Sequence, residues 1–174
     1  NMIHTGKGDD NINATKGHDI LDAGEGTDTF TYNSVADSYS SINLSSGRAY
    51  SPEFDHDTLI NFENVTTLAG DDIIIGNNAN NIIIAGAGDD IIDARGGIDT
   101  VTGGDGTDIF FLRGEDIINT SINKAALADS INTANKVILT DFDHNNDSIL
   151  IHKDSIFNQY NHSTDANGNF LYTN

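Results

Sequence analysis

Cysteine and tryptophan are absent from the 174 residues, proline occurs once, and basic residues are scarce: 8 Lys and Arg stand against 27 Asp and Glu. Without cysteine the chain forms no disulfides. The formal net charge of −19 makes the chain repel itself, nucleic acid and anionic membranes, so the attractive partners are cations. There is no apolar run of transmembrane length and no signal-peptide pattern. We therefore expect no nucleic-acid partner and no membrane insertion.

Catalytic motifs are also missing. The sequence contains no HExxH, no GxSxG, no P-loop and no cysteine nucleophile. Carboxylate pairs are numerous, but a repeat accounts for most of them. We predict that these residues form a non-enzymatic module, and we expect the chain to be a piece of a larger protein.

A nine-residue period organises much of the sequence. One block reads TGKGDDNIN, ATKGHDILD and AGEGTDTFT over residues 5–31. A second reads TLAGDDIII, GNNANNIII, AGAGDDIID, ARGGIDTVT and GGDGTDIFF over residues 67–111. Within each unit, position 4 is Gly except at Ala79, position 6 is Asp except at Asn81, and position 8 is always apolar.

Each of these columns has a physical reason. The last three residues of a unit read x-apolar-x, which predicts a very short strand whose middle side chain points inward. Such a strand buries that side chain only by stacking on neighbours. Glycine permits the sharp turn before the strand. The turn carbonyls and the Asp carboxylate are hard oxygen ligands, which suit calcium better than zinc or copper.

The columns match the G-G-x-G-x-D-x-U-x nonapeptide, and the chain strongly resembles the RTX (repeats-in-toxin) family of calcium-binding repeats. The resemblance implies an all-β fold, a right-handed parallel β-roll in which two nonapeptides make one coil. It also implies that calcium lies between turns eighteen residues apart, with about four to six ions in all. A disordered Gly/Asp-rich linker is the alternative interpretation, and the fixed phase of the apolar residue argues against it.

On this resemblance the metal ligands come from the turns. The predicted side-chain pairs are Asp10 with Asp28, Asp72 with Asp90, Asp90 with Asp108, and Asn81 with Asp99. The partner of Asp19 must come from residues 32–66 or be missing, and Asn81, a neutral ligand, predicts the weakest site of its block. The predicted turn glycines are Gly8, Gly26, Gly70, Gly88, Gly97 and Gly106. The acids at position 5, Asp9, Asp71 and Asp89, are expected to be solvated or to lie behind the primary ligands.

The segment between the blocks breaks the period. We divide the chain into a first repeat block (1–31), an insertion that rejoins the roll (32–66), a second block (67–112) and a C-terminal capping region (113–174). A hairpin is predicted around Ser45–Gly47. "FDHDTLI" reads as a degenerate repeat, with Asp57 at position 6 as a candidate metal ligand. Whether the two blocks stack as one solenoid is left open.

The C-terminal region is predicted to contain short strands at "KVILTDF" and "DSILIHK", a helix over 122–133 and a terminal hairpin at "DANGNFLY". Asp143, Asn145 and Asp147 have the D-x-N-x-D spacing of calcium loops, but Ser148 stands where an EF-hand requires Gly. A different calcium site and a plain turn both remain open there.

The resemblance implies export by type I secretion machinery and calcium-triggered folding outside the cell, at the bacterial surface or in the medium. We expect a monomeric module of a large adhesin or toxin. The alternatives are the secretion and folding module of an extracellular enzyme (a metalloprotease, a lipase or a polysaccharide-modifying enzyme), or a glycan-binding module. Large rings at the ends of the blocks, including Phe30, Tyr32 and Phe111, are expected to cap the core, and Tyr32 and Phe111 are the candidate sugar platform.

Overall fold

The computed structural model describes residues 1–32, 38–113, 136–151, 163–164 and 170–171. These residues form only strands and turns. None of them belongs to a helix long and apolar enough to cross a membrane. The helix expected over 122–133 lies outside the described residues.

Two long sheets form the roll. Sheet A has nine strands, in the order β1 (Met2–Lys7), β3 (Ile20–Glu25), β7 (Asp55–Ile60), β6 (Arg48–Ser51), β5 (Ser41–Asn43), β9 (Ile73–Ile75), β11 (Ile91–Asp93), β13 (Ile109–Leu112) and β15 (Ser148–Ile151). Sheet B has six, in the order β14 (Lys136–Leu139), β12 (Ile98–Asp105), β10 (Ile82–Ala87), β8 (Asn64–Thr67), β4 (Thr29–Tyr32) and β2 (Asn11–Asn13). Strands from both blocks lie in both sheets, so one roll runs through the described part of the chain.

Within each block the register is set by the double nonapeptide. Leu21 pairs with Ile3, Ile92 with Ile74 and Val101 with Ile83, each eighteen residues apart and parallel. The position-8 side chains alternate between the two sheets, and all of them are buried: Ile12, Leu21, Phe30, Ile74, Ile83, Ile92, Val101 and Phe110. This result confirms the predicted parallel β-roll.

The insertion contributes different numbers of strands to the two sheets. In sheet B the single strand β8 connects β4 to β10. In sheet A three strands, β7, β6 and β5, lie between β3 and β9. β5 and β6 form the hairpin predicted around Ser45–Gly47, and they pair antiparallel, with Ile42 opposite Ala49. β7 pairs in parallel with β3, with Leu59 opposite Leu21, as the degenerate repeat predicts.

The region after the second block continues the roll. The strands expected at "KVILTDF" and "DSILIHK" are present, but they join different sheets. β14 pairs with β12, and β15 pairs with β13. At the end, β16 (Ser163–Thr164) pairs antiparallel with β17 (Phe170–Leu171), as predicted for "DANGNFLY".

The aromatic rings do not cap open ends, so that expectation was wrong. Phe30 and Tyr32 lie in the interior, where the insertion joins the first block, and both are buried. Phe30 packs edge-on against Phe62, and Tyr32 packs edge-on against Phe54. Phe110 lies opposite Ile149 of the following coil. The rings therefore lie in the interior of the roll, because β8 and β15 continue the sheets beyond β4 and β13.

Candidate metal centres

The residue directly before each x-apolar-x triplet of the roll occupies a fixed place: it directly precedes the strand, except that Asp57 and Asp99 lie within β7 and β12. We call the line of such residues before sheet A row A, and the line before sheet B row B. Row A contains Asp19, Asp57, Ser40, Asp72, Asp90, Asp108 and Asp147. Row B contains Asp10, Asp28, Glu63, Asn81 and Asp99. Carboxylates therefore stack along both rows at the spacing of the strands, which is about 4.8 Å.

A repeated hydrogen bond links neighbours in each row. The backbone nitrogen of one residue donates to Oδ1 of the acid eighteen positions later. The donor–acceptor distances are 2.7 Å for Asp10–Asp28, 2.8 Å for Asp72–Asp90, 3.0 Å for Asp90–Asp108 and 2.8 Å for Asn81–Asp99. The structure therefore brings together all four predicted pairs, while their role as calcium ligands stays a prediction.

Asp19 finds its neighbour in the insertion. Its backbone nitrogen donates to Asp57 Oδ1 at 2.9 Å, although the two residues are 38 positions apart. Both carboxylates are buried. Asp19 Oδ2 accepts a hydrogen bond from Thr15 Oγ1 at 2.5 Å, so it is not among the buried oxygens without a hydrogen bond. The insertion therefore supplies the hydrogen-bonded neighbour of Asp19, while the role of Asp19 and Asp57 as calcium ligands stays a prediction.

Three row members were missed from the sequence. Glu63 accepts from the Asp28 nitrogen at 2.8 Å, and Asp147 accepts from the Asp108 nitrogen at 3.0 Å. Ser40 donates its backbone nitrogen and its hydroxyl to Asp72 Oδ1. No glycine turn precedes these residues. The signal that could have found them is an acid or Ser directly before an x-apolar-x triplet, as in "ENVT", "DSIL" and "SSIN".

The second oxygen of most row aspartates has no partner. Five Oδ2 atoms are buried without a hydrogen bond, those of Asp10, Asp28, Asp72, Asp90 and Asp108. Burying an unpaired carboxylate oxygen is costly unless a cation or a proton compensates it. Orphaned oxygens at regular spacing in both rows are what a line of hard cations would satisfy, so the residues present fit calcium.

The pKa values of three row A aspartates reflect the burial of the same uncompensated charge. Burial, reinforced by the negative charges of Asp72 and Asp108, raises the pKa of Asp90 to about 7. Burial likewise raises the pKa of Asp72 and of Asp108. Without a cation, Asp72, Asp90 and Asp108 therefore take up protons more readily than exposed aspartates do.

Side chains alone cannot complete a coordination shell here. Within the described residues, no group of three or more His, Asp or Glu side chains converges on one point. Calcium takes six to eight oxygen ligands, so backbone carbonyls would have to supply several of them. The turn glycines make this possible, because a carbonyl of one turn lies directly beneath the glycine of the next.

Of the six predicted turn glycines, five lie against such a carbonyl. A Cβ at Gly26, Gly70, Gly88, Gly97 or Gly106 would overlap the carbonyl oxygen of Gly8, Ser38, Gly70, Ala79 or Gly88, respectively. Gly8 itself has open space around it. Four of these five also have a positive φ, as at Gly88 (137°), and Gly26 is the exception. Glycine is therefore required both for the turn and for the close backbone approach.

The turn at Asn81 is closed by an amide. Asn81 Oδ1 accepts from the Asn77 nitrogen at 2.9 Å, and Nδ2 donates to the Glu63 carbonyl at 2.6 Å and to Asn77 Oδ1 at 2.9 Å. The side-chain NH₂ group thus donates hydrogen bonds inside the turn, where an aspartate side chain offers only acceptor oxygens. This arrangement agrees with Asn81 marking the weakest candidate metal site.

The position-5 acids form a separate outer line. Asp9 Oδ1 accepts from the Thr27 nitrogen, Asp71 Oδ1 from the Asp89 nitrogen, and Asp89 Oδ1 from the Thr107 nitrogen, at 2.8–2.9 Å. All three acids are exposed. They stabilise neighbouring turns from the solvent side.

The loop after β14 is hydrogen-bonded to the last repeat turn. Asp141 accepts hydrogen bonds from the backbone nitrogens of Gly103 and Gly104, at 3.1 and 2.7 Å. Asp143 accepts from the nitrogen of Asn145 and donates its own nitrogen to Asp147 Oδ2. Asp147 thus joins row A. The carboxylates of Asp141, Asp143 and Asp147 all accept hydrogen bonds from backbone nitrogens.

The candidate sugar platform is wrong at one of its two rings. Tyr32 is 2% exposed and Phe111 is half-buried. A ring stacks on a sugar only with an open face, and Tyr32 has none.

Comparison with known proteins agrees with the turn geometry. A family model described as RTX calcium-binding nonapeptide repeat (4 copies) matches residues 1–38, 66–101 and 90–116, just over half of the chain. None of the curated proteins compared with the chain matches it.

Proposed function

The chain belongs to the family of RTX calcium-binding nonapeptide repeats, and on that basis we propose that it is a calcium-dependent folding module of a larger secreted bacterial protein. In calcium-poor conditions the module is unfolded, and outside the cell calcium folds it into the roll. The observation that carries this proposal is the set of five buried, unpartnered Oδ2 atoms of Asp10, Asp28, Asp72, Asp90 and Asp108 along the two rows.

The energetics support a switch. Extracellular calcium modules bind with Kd of about 10⁻⁴ M, so millimolar calcium is in about tenfold excess. Each site then stabilises the fold by about 1.4 kcal/mol through mass action. Four sites contribute about 6 kcal/mol, which is comparable to the whole stability of a small domain. Calcium also removes the carboxylate repulsion that opposes folding of a chain with net charge −19.

Type I secretion machinery is the proposed export partner, because RTX repeats occur in secreted bacterial proteins and because folding outside hinders return through the channel. An adhesin or toxin is the proposed parent, with an extracellular enzyme as the alternative. The parent's sequence before residue 1 separates them: tandem β-sandwich repeats indicate an adhesin, and a catalytic motif indicates an enzyme.

The proposal is tested by far-UV circular dichroism of the chain during a calcium titration that begins in EDTA, with magnesium as the control. We expect a cooperative change from coil to β with calcium and not with magnesium. A folded spectrum in EDTA that calcium leaves unchanged would overturn the proposal.

A further inference from the structure

Glu63 lies outside the nonapeptide units, directly before β8, yet it makes the contact of a position-6 aspartate. Its Oε2 accepts from the Asp28 nitrogen at 2.8 Å, within the 2.7–3.0 Å range of the repeat pairs. The nitrogens of Glu63 and Asn64 both donate to the Asp28 carbonyl, at 3.1 and 2.9 Å. Glu63 is therefore held in row B by two hydrogen bonds of its own to Asp28 and by a third from its neighbour Asn64.

The charge at this step is uncompensated. Asp28 is completely buried, and its Oδ2 has no hydrogen-bond partner. Among the described residues, neither Asp28 nor Glu63 forms a salt bridge with a basic side chain. Burial, together with the charges of Asp28 and Asp9, raises the pKa of Glu63. Two adjacent carboxylates, one of them fully buried, thus have no positive partner in this part of the chain.

A notch lined by polar residues and by the apolar Ala79, Ile82 and Ile98 opens beside Glu63. The notch has a volume of about 510 Å³, and its lining includes Thr27, Glu63, Asn80 and Asn81. This is enough room for several water molecules around one ion. On the far side, the Asn81 amide donates to the Glu63 carbonyl and so closes the row there.

We propose that Asp28 and Glu63 bind a divalent cation of the calcium class, at a site additional to those of the nonapeptide pattern. This inference rests on the proposed function. Glu63 supplies a carboxylate from a segment that has no glycine turn, and water from the notch completes the six to eight oxygens that calcium requires. With fewer protein ligands, this site is weaker and more hydrated than the sites between glycine turns.

The test is calcium stoichiometry of the whole chain, measured by isothermal titration calorimetry and equilibrium dialysis, for the wild type and for Glu63→Gln. Glutamine keeps one acceptor oxygen for the Asp28 nitrogen, removes the charge and replaces the second oxygen with an NH₂ donor. The matched control is Glu25→Gln, since Glu25 is exposed and pairs with Lys7. We expect Glu63→Gln to bind one calcium fewer, with an unchanged circular dichroism spectrum in saturating calcium, and Glu25→Gln to bind as many as the wild type.

An unchanged number of bound ions in Glu63→Gln would overturn this inference and leave the proposed function intact. A wild type that binds no calcium would overturn both. If Glu63→Gln fails to fold in calcium, Glu63→Asp decides the matter, because it keeps the charge on a shorter side chain. Full stoichiometry with at least about tenfold weaker binding at one site supports the proposal. Loss of all binding in Glu63→Asp assigns Glu63 a purely structural role.

Discussion

The backbone nitrogen of Asp72 lies 2.8 Å from Oδ1 of Asp90, while Oδ2 of the same Asp90 carboxylate has no partner. One oxygen of the carboxylate therefore holds two turns together, and the other is left for a cation. Because the two oxygens have different roles, asparagine is an informative substitution: it keeps the first role and removes the charge needed for the second.

Asp90→Asn should have opposite effects with and without calcium. In EDTA it removes a buried charge that lies beside Asp72 and Asp108, so the calcium-free fold should become more stable by about 1–3 kcal/mol. In calcium the variant weakens both predicted sites that share Asp90, so the free energy of unfolding should fall. The residual folded fraction in EDTA, measured by circular dichroism, and urea unfolding in saturating calcium measure the two effects.

The matched control for that substitution is Asp71→Asn. Asp71 is the exposed neighbour of a row residue and loses the same charge on substitution. We expect changes within about 0.5 kcal/mol in both conditions, as for ordinary surface substitutions. If Asp90→Asn has the same sign of effect with and without calcium, the carboxylate is not a cation ligand.

Acid should substitute partly for calcium. The pKa of Asp90 is raised to about 7 in the metal-free fold, above its ordinary value of 3.8. A proton therefore binds the folded state more tightly, and this contribution to stability is complete below about pH 3.8 and is lost as the pH rises through about 7. Asp72 and Asp108 shift in the same direction.

We therefore expect the folded fraction in EDTA to increase as the pH falls from 7.5 to 5, and the apparent calcium affinity to fall over the same window because protons compete for the row. Circular dichroism in EDTA and calcium titrations at each pH measure the two trends. A metal-free fold that loses stability between pH 7.5 and 5 would contradict the assignment of buried, unpaired carboxylates.

Gly88→Ala and Gly17→Ala distinguish the two reasons why a turn requires glycine, which are the positive φ and the close approach of a neighbouring carbonyl. Both positions have a positive φ, 137° and 106°. A Cβ at Gly17 meets open space, whereas a Cβ at Gly88 overlaps the carbonyl of Gly70. Gly17→Ala should cost about 1–2 kcal/mol for the backbone conformation alone. Gly88→Ala should cost about 1–3 kcal/mol more, because two turns must move apart.

Chemical denaturation in saturating calcium measures both glycine variants. Gly88→Ala should also weaken calcium binding, since the Gly70 carbonyl is displaced, while Gly17→Ala should leave it within about threefold. Equal losses of stability at the two positions would show that the carbonyl stacking contributes nothing.

Asn81→Asp should convert an amide-closed turn into a calcium-dependent one. The aspartate loses the two hydrogen bonds that Nδ2 donates to Glu63 and Asn77 and places an extra charge among acceptors. In EDTA the roll should lose about 1–3 kcal/mol. In calcium much of that loss should be recovered, because a cation takes the place of the NH₂ group. The residual folded fraction in EDTA, measured by circular dichroism, and thermal unfolding in saturating calcium test this, and an equal loss of folding free energy in both conditions would contradict it.

The sequence was most informative where the period was intact. The nine-residue period predicts that Ile74 and Ile92 are buried. A coil of two units then places Asp72 beside Asp90. The insertion was less predictable, because strand pairing over 35 or 38 residues is set by tertiary packing and not by a local turn signal. Glu63 and Asp147 occupy row positions through their place before a short strand, while the glycines that mark other such places are absent.

The register also determines the order in which the roll can assemble. Within a block a strand finds its neighbour eighteen residues away, whereas Ile20 of β3 pairs with Thr58 of β7 after 38 residues. Doubling a loop adds only about 0.6 kcal/mol to the entropy of closing it. This closure, however, also requires the β5–β6 hairpin to be seated between β7 and β9. We therefore expect each block to grow by short, local steps and the joining of the two blocks across the insertion to be the slow event in folding.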